Sequence, residues 1–251
     1  MNAAATAARL VEARRSGRKI AALEPGLLPR TNDEAYAVQE EVLRLLGASE
    51  AGWKVGSANP AAEIIAAPLI AALVKPSPAR FTATPDSFRA VEAELALAIG
   101  SDLPARAGGW GEDEAWAAVA AVHVAIEFLD TRYADRRAMP APALLADMQT
   151  NGGFCYGPAN PVAKVDFLAA KASLVIDGRE EKSAVGGNPA GHPKRLLAWL
   201  AGHAASRGRP LKKGDIVTTG SHTGITVAPL GARVVARFEG LGEAVLEIPP
   251  A

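Results

Sequence analysis

Apolar and polar positions alternate along most of the chain after residue 52. Val91, Ala93, Leu95, Leu97 and Ile99 fall on every second position, so an extended backbone gathers them on one face and Glu92, Glu94, Ala96 and Ala98 on the other. Residues 123–130 repeat the pattern: Val124, Ile126, Phe128 and Asp130 share one side, and His123, Ala125, Glu127 and Leu129 the opposite one. Similar short runs bounded by Gly and Pro predict further strands at 52–56, 172–176, 215–219, 233–238 and 243–248. Before residue 52 the spacing is helical. An Ala-rich stretch from residue 2 carries Leu10 and Val11 and breaks at Glu24-Pro25-Gly26 and Pro29. Helix resumes at Thr31, whose hydroxyl and the Glu34 carboxylate form a capping-box pattern ahead of Tyr36, Val38, Val42, Leu43 and Leu46; Gly47 ends it. Two further helices are predicted at 112–122 and 193–207. Strands and helices do not alternate strictly, so the expected class is α+β rather than a doubly wound parallel sheet. The expected organisation is an N-terminal helical segment over residues 1–50 and a β-rich body over residues 51–251.

Composition narrows the function classes. The 251 residues carry 27 Lys+Arg against 27 Asp+Glu, with no basic stripe, which argues against nucleic-acid or acidic-membrane partners. Of the 49% hydrophobic residues a large share is alanine, 54 in all, enough for one core but not for a membrane protein. The longest weakly polar run, 64–74, is broken by Pro68 and falls short of the roughly 20 residues of a membrane span. Cys155 is the single cysteine, which leaves no intramolecular disulfide and no Cys-based metal centre. That fits a reducing compartment, with the cytoplasm the expected location. The Gly-x-Gly-x-x-Gly fingerprint, the Gly-x-Ser-x-Gly elbow and the His-Glu-x-x-His helix are absent from the sequence.

Chemistry concentrates in a few places. Glu92 and Glu94 stand side by side on a strand face that continues into alanines, so a half-buried pair of like charges calls for a compensating cation. Glu127 interrupts an otherwise apolar strand, and three converging carboxylates would form an all-oxygen site for Mg²⁺ or Mn²⁺. Asp130 is either a further acid of that site or a strand-end group paired with Arg132. Lys54, in Gly52-Trp53-Lys54-Val55-Gly56, is suited to neutralise a substrate carboxylate or exchange a proton. Gly220-Ser221-His222-Thr223-Gly224 is a polar turn whose amides and hydroxyls either bind an oxyanion or simply close a strand; His222 is either a local acid or base or a pocket-lining group.

In order and spacing, Thr31-Asn32-Asp33-Glu34-Ala35-Tyr36, Gly52-Trp53-Lys54-Val55-Gly56, Val91-Glu92-Ala93-Glu94, Ala125-Ile126-Glu127-Phe128-Leu129-Asp130, Gly191-His192-Pro193 and Gly214-Asp215-Ile216-Val217-Thr218-Thr219-Gly220-Ser221 resemble the 2-keto-4-pentenoate hydratase and 4-oxalocrotonate decarboxylase family of the fumarylacetoacetate hydrolase superfamily. The resemblance runs from about residue 31 to the end. It implies a β-rich roll with flanking helices, a magnesium site on Glu92, Glu94 and Glu127, and an active-site lysine at Lys54. It also implies a homo-oligomer acting on a small 2-oxo acid, hydration being favoured over decarboxylation or C–C hydrolysis, and possible association with a pathway decarboxylase or hydratase. The expected catalytic set is Lys54, His222 and Asp130, with Gly220, Ser221 and Thr223 binding substrate beside Lys54. The chain departs from the family pattern at Ser57-Ala58-Asn59-Pro60, in a short loop over 74–89, and at His222.

Overall fold

The structure, a computed structural model, describes residues 1–250. Helix α1 (Ala3–Ser16) is capped by the Asn2 side chain, which accepts from the Ala5 N–H. Helix α2 (Asn32–Leu46) is capped by Thr31, which accepts from the Glu34 N–H, while the Glu34 carboxylate reaches back to accept from the Arg30 N–H. The chain continues through β1 (Glu50–Ser57), β2 (Ile64–Ile70), β3 (Val74–Pro76), β4 (Ala79–Arg80) and β5 (Ala90–Ile99). Then follow α3 (Glu112–Trp116), β6 (Val119–Leu129), α4 (Ala141–Ala146), β7 (Asn151–Asn160), β8 (Lys171–Ile176) and β9 (Arg179–Val185). Helix α5 (Lys194–Ser206) precedes β10 (Ile216–Ser221), β11 (Thr226–Val227), β12 (Arg233–Phe238) and β13 (Gly242–Glu247).

The strands form two sheets. The larger has the order β2-β1-β10-β5-β6-β7-β3, with β11 added against β5; the smaller has the order β4-β13-β12-β8-β9. Alternation decides how they pack. Val91, Ala93, Leu95, Leu97 and Ile99 of β5 and Val122, Val124, Ile126 and Phe128 of β6 join Leu174, Val234, Ala236, Phe238 and Leu246 of the smaller sheet in one buried core. The opposite face of the larger sheet is therefore free to carry the acids. A second core ties α1 and α2 to Ala67 and Ile70 of β2 and to α4. This is the α+β, β-rich roll with flanking helices that the sequence leads one to expect. No helix among the described residues is long and apolar enough to cross a membrane.

One local expectation is corrected, and one strand lies outside those expected. The helix predicted over 112–122 stops at Trp116, and Val119 already belongs to β6. Val119 pairs with Ile99 and Val122 with Leu97, so the sheet ladder outweighs the helix propensity of the alanines between them. The 64–74 run supplies β2, almost wholly buried and antiparallel to β1. A strand covered on both faces shows no alternation to betray it.

Candidate metal centre and substrate cleft

Strand pairing assembles the acids. Glu92 on β5 stands directly across from Glu127 on β6, and Glu94 lies one pleat further along the same face, opposite Ala125. Each of the three offers a carboxylate oxygen within 4.8 Å of the others. Lys54 arrives from β1, which runs parallel to β10 with Lys54 level with Thr218; Thr218 in turn faces Ala96 of β5. That close approach depends on Gly52. At φ +139° a side chain there is strained, and its Cβ would lie 1.9 Å from the Ile216 carbonyl oxygen.

The Lys54 ammonium donates to both Glu127 oxygens, at 2.6 and 2.8 Å, and to the Gln149 carbonyl at 3.1 Å. Asn151 Nδ2 adds a third contact to Glu127 at 2.8 Å. Gln149 reaches Lys54 through an unusual backbone: Met148, Gln149 and Thr150 all hold positive φ, between 50° and 60°. Such strain costs roughly 1–3 kcal/mol per residue and tends to be retained at functional sites. Asn151 was not singled out as a site residue in the sequence, although the polar run Asp147-Met148-Gln149-Thr150-Asn151-Gly152-Gly153 is its signal.

Electrostatics identify what is missing from the cluster. Burial, reinforced by the neighbouring Glu127 charge, pushes the Glu92 carboxyl up to about 7. Burial also raises Glu94 well above the ordinary carboxylate range, with Glu127 and Glu92 adding to the effect. Glu94 and Glu127 are 2% and 1% exposed, so neither relies on water for screening. Fully ionised, three carboxylates against one ammonium carry two excess negative charges, and Glu94 Oε2 is buried without a hydrogen-bond partner. An all-oxygen donor set with a bare lone pair and that charge deficit fits a hard divalent cation such as Mg²⁺ or Mn²⁺. The cluster opens into a cleft of about 890 Å³, whose apolar wall includes Ile65, Leu129, Leu144 and Leu145. Asn32 also lines it, so the N-terminal helices reach the site.

The remaining residues picked from the sequence divide. Gly220 and Ser221 line the cleft beside the acids, where the Gly220 amide favours the charged form of Glu94 and the Ser221 hydroxyl that of Glu92. Thr223 lies outside the cleft lining; its hydroxyl accepts from the Ala93 N–H and donates to the Gly224 carbonyl, fixing the turn to β5. His222 is 3% exposed and packs edge-on against Phe238 of the smaller sheet, with neither ring nitrogen bonded. Burial lowers its pKa to about 4, so it is a neutral core group. Its position one residue after Ser221 on an extended backbone turns it to the inter-sheet side, which corrects its expected role as an acid or base. Asp130 is corrected for the same reason. It lies on the other face of β6 from Glu127, pairs with Lys19 at 2.7 Å and accepts from the Phe88 N–H at 2.9 Å. Arg132, its expected partner, is taken by Asp147.

Residues 59–248 match the family described as fumarylacetoacetate (FAA) hydrolase C-terminal. A 2-keto-4-pentenoate hydratase of Burkholderia vietnamiensis is 30% identical over 95% of this chain and 94% of its own. A 2-hydroxyhexa-2,4-dienoate hydratase of Comamonas testosteroni is 27% identical over 93% of this chain and 92% of its own. Among solved structures, a 4-oxalocrotonate decarboxylase from Pseudomonas putida G7, complexed with magnesium and adipate, superposes with a TM-score of 0.84 at 21% identity, covering 98% of this chain and 97% of that one. The chain belongs to the 2-keto-4-pentenoate hydratase and 4-oxalocrotonate decarboxylase family of the fumarylacetoacetate hydrolase superfamily.

Proposed function

We propose that this chain is a divalent-metal-dependent hydro-lyase that adds water to a 2-hydroxy-dienoate, or its 2-oxo-enoate tautomer, in the catabolism of aromatic compounds. The observation that carries the reading is the meeting of Glu92, Glu94 and Glu127, with Lys54 bound to the last, at the floor of one cleft. Glu92, Glu94 and Glu127 would hold Mg²⁺ or Mn²⁺, which would supply Lewis acidity to the 2-oxo acid end of such a substrate. The reaction ketonises the dienol and adds water across the remaining carbon–carbon double bond, giving a 4-hydroxy-2-oxo acid. Lys54 adds positive charge beside the acids, and turning one donor from Glu127 to the substrate would let its ammonium move a proton. A positioned acid or base of that kind contributes about 10²–10⁴-fold. Asn151 and the Gln149 carbonyl hold Lys54 and Glu127 in register. Ile65, Leu129 and Leu144 hold the carbon chain and exclude bulk water from it.

The proposal carries a homo-oligomer with it, and association with a pathway decarboxylase. Incubating the purified chain with Mg²⁺ and 2-hydroxypenta-2,4-dienoate tests it: dienol absorbance should fall with formation of the 4-hydroxy-2-oxo acid. Release of CO₂ from 4-oxalocrotonate without hydration would instead make it a decarboxylase, and cleavage of an acylpyruvate a C–C hydrolase. Binding without turnover of any of them would make it a non-catalytic subunit.

A further inference from the structure

Two cations line the cleft, and they are in opposite conditions. Lys54 has three donors and spends them on the two Glu127 oxygens and the Gln149 carbonyl. Arg136 lines the same cleft with its Nε buried and unpartnered. The acids nearby form no ion pair with it: Glu127 is held by Lys54 and Asn151, Glu63 takes Asn32 Nδ2, and Glu92 feels the Arg136 charge without a salt bridge to it. Asp135, the adjacent residue, accepts from the Arg137 and Ala138 N–H groups. What Arg136 does touch is the Phe88 ring, with its guanidinium carbon 5.5 Å from the centroid. Packing over an aromatic ring steadies the guanidinium plane while leaving its edge N–H donors free.

Local backbone explains why the side chain turns inward. Arg136 and Arg137 share a short 3₁₀ turn, Arg136–Ala138, capped by Asp135; there Arg137 is exposed and Arg136 half-buried. The turn leads directly into α4, whose Ala141, Leu144 and Leu145 form the apolar wall. The cleft therefore has an acidic end, an apolar wall and a single cation with free donors.

We propose that Arg136 binds a second carboxylate at the far end of the substrate, so that the cleft selects 2-oxo acids that are dicarboxylates over their monocarboxylate counterparts. The inference rests on the proposed reading that the acidic end grips the 2-oxo acid group. A guanidinium presents paired N–H donors that match a carboxylate, and the half-buried setting strengthens the pair. The apolar wall suits the carbon chain between the two charged ends. In the absence of such an anion, Arg136 would be a half-buried cation with no carboxylate partner, a costly arrangement to keep for packing alone.

The test is calorimetry in saturating Mg²⁺ with two ligands of equal chain length, 2-oxohexanoate and 2-oxohexanedioate, on the wild type, Arg136→Met and Arg136→Lys. The wild type should bind the dioate roughly 10–100-fold more tightly, the range of a charge-assisted pair. Arg136→Met should lose that preference while its affinity for 2-oxohexanoate stays within about threefold of wild type. Arg136→Lys should keep part of the preference, having the charge without the fork. If Arg136→Met does not fold, the wild-type preference and its reduction in Arg136→Lys decide the matter. Equal binding of both ligands by the wild type would overturn the role of Arg136 and leave the acidic-end reading intact. An equal loss for both ligands in Arg136→Met would also overturn it, by placing Arg136 at the 2-oxo acid end. Failure of both ligands to bind would contradict the acidic-end reading, and the proposal with it.

Discussion

Glu127 and Asp130 lie three residues apart at the end of β6, on opposite faces of the sheet, in contrasting electrostatic settings. On the Asp130 face both acids are answered. Asp130 pairs with Lys19, and Asp147 accepts from the Arg132 side chain, the Arg132 N–H and the Thr131 hydroxyl. On the Glu127 face, three carboxylates share one lysine, and a buried oxygen of Glu94 has no donor. The first arrangement is complete within the chain and needs nothing more. The second is stable only with something added, which is what a binding site requires. Both faces carry acids largely removed from water; the count of partners separates them.

The sharpest way to break this comparison is Glu94→Gln, which keeps the shape and removes a ligand charge. Turnover should fall by more than about 10³-fold, in line with loss of metal-assisted catalysis. Calorimetric affinity for Mg²⁺ should fall with it, while the thermal midpoint of the metal-free protein should not drop, because the lost group was an uncompensated buried acid. Lys54→Met comes next: kcat/KM should fall about 10²–10⁴-fold with Mg²⁺ binding retained. Wild-type kinetics in that variant would remove Lys54 from the chemistry.

On the saturated face the effect should appear in stability instead. Asp147→Ala leaves Arg132 buried without its partner, at a cost of roughly 3–5 kcal/mol. For a chain of this size that lowers the thermal midpoint by about 6–20 °C. His222 supplies a smaller, pH-dependent test. Its folded pKa of about 4 lies below its ordinary 6.5, so between those values the unfolded chain takes up a proton that the folded chain refuses. Stability therefore rises with pH across that window and is lost on acidification, by about 2 kcal/mol between pH 7 and pH 5. His203, also lowered to about 4 by burial, adds a loss of the same sign. Urea titrations of His222→Phe at the two pH values should show a shallower loss than wild type; an identical loss would mean His222 is not the group responsible. Asp130→Asn should do least. Its partly exposed pair with Lys19 predicts less than about 1 kcal/mol in stability and turnover within about threefold of wild type.

The acid cluster was legible because alternation is a strong signal. Once residues 90–99 and 123–130 are read as strands, Glu92 and Glu94 must share a face, and Glu127 must interrupt the corresponding face of its own strand. What joined them into one site was the order of the motifs along the chain, since strand pairing between β1, β10, β5 and β6 is not written in any one segment. Other features resisted reading for physical reasons. Residues 112–122 are rich in alanine, and only the ladder opposite β5 makes Val119 to Val122 a strand. His222 looked available beside Gly220 and Ser221, yet the pleat directs it into the inter-sheet core. Asn151 and Arg136 act through a strained turn and a short 3₁₀ turn, conformations that leave no periodic trace.

On the proposed reading, three acids from two strands hold one divalent cation that grips the end of a 2-oxo acid. Crystals soaked with Mn²⁺ and oxalate, measured at the manganese edge, test it most directly. A single anomalous peak in contact with Glu92, Glu94 and Glu127, with oxalate chelating the ion from the cleft side, is the expected result. Manganese bound elsewhere, or no peak among these three carboxylates in crystals that diffract well, would contradict it.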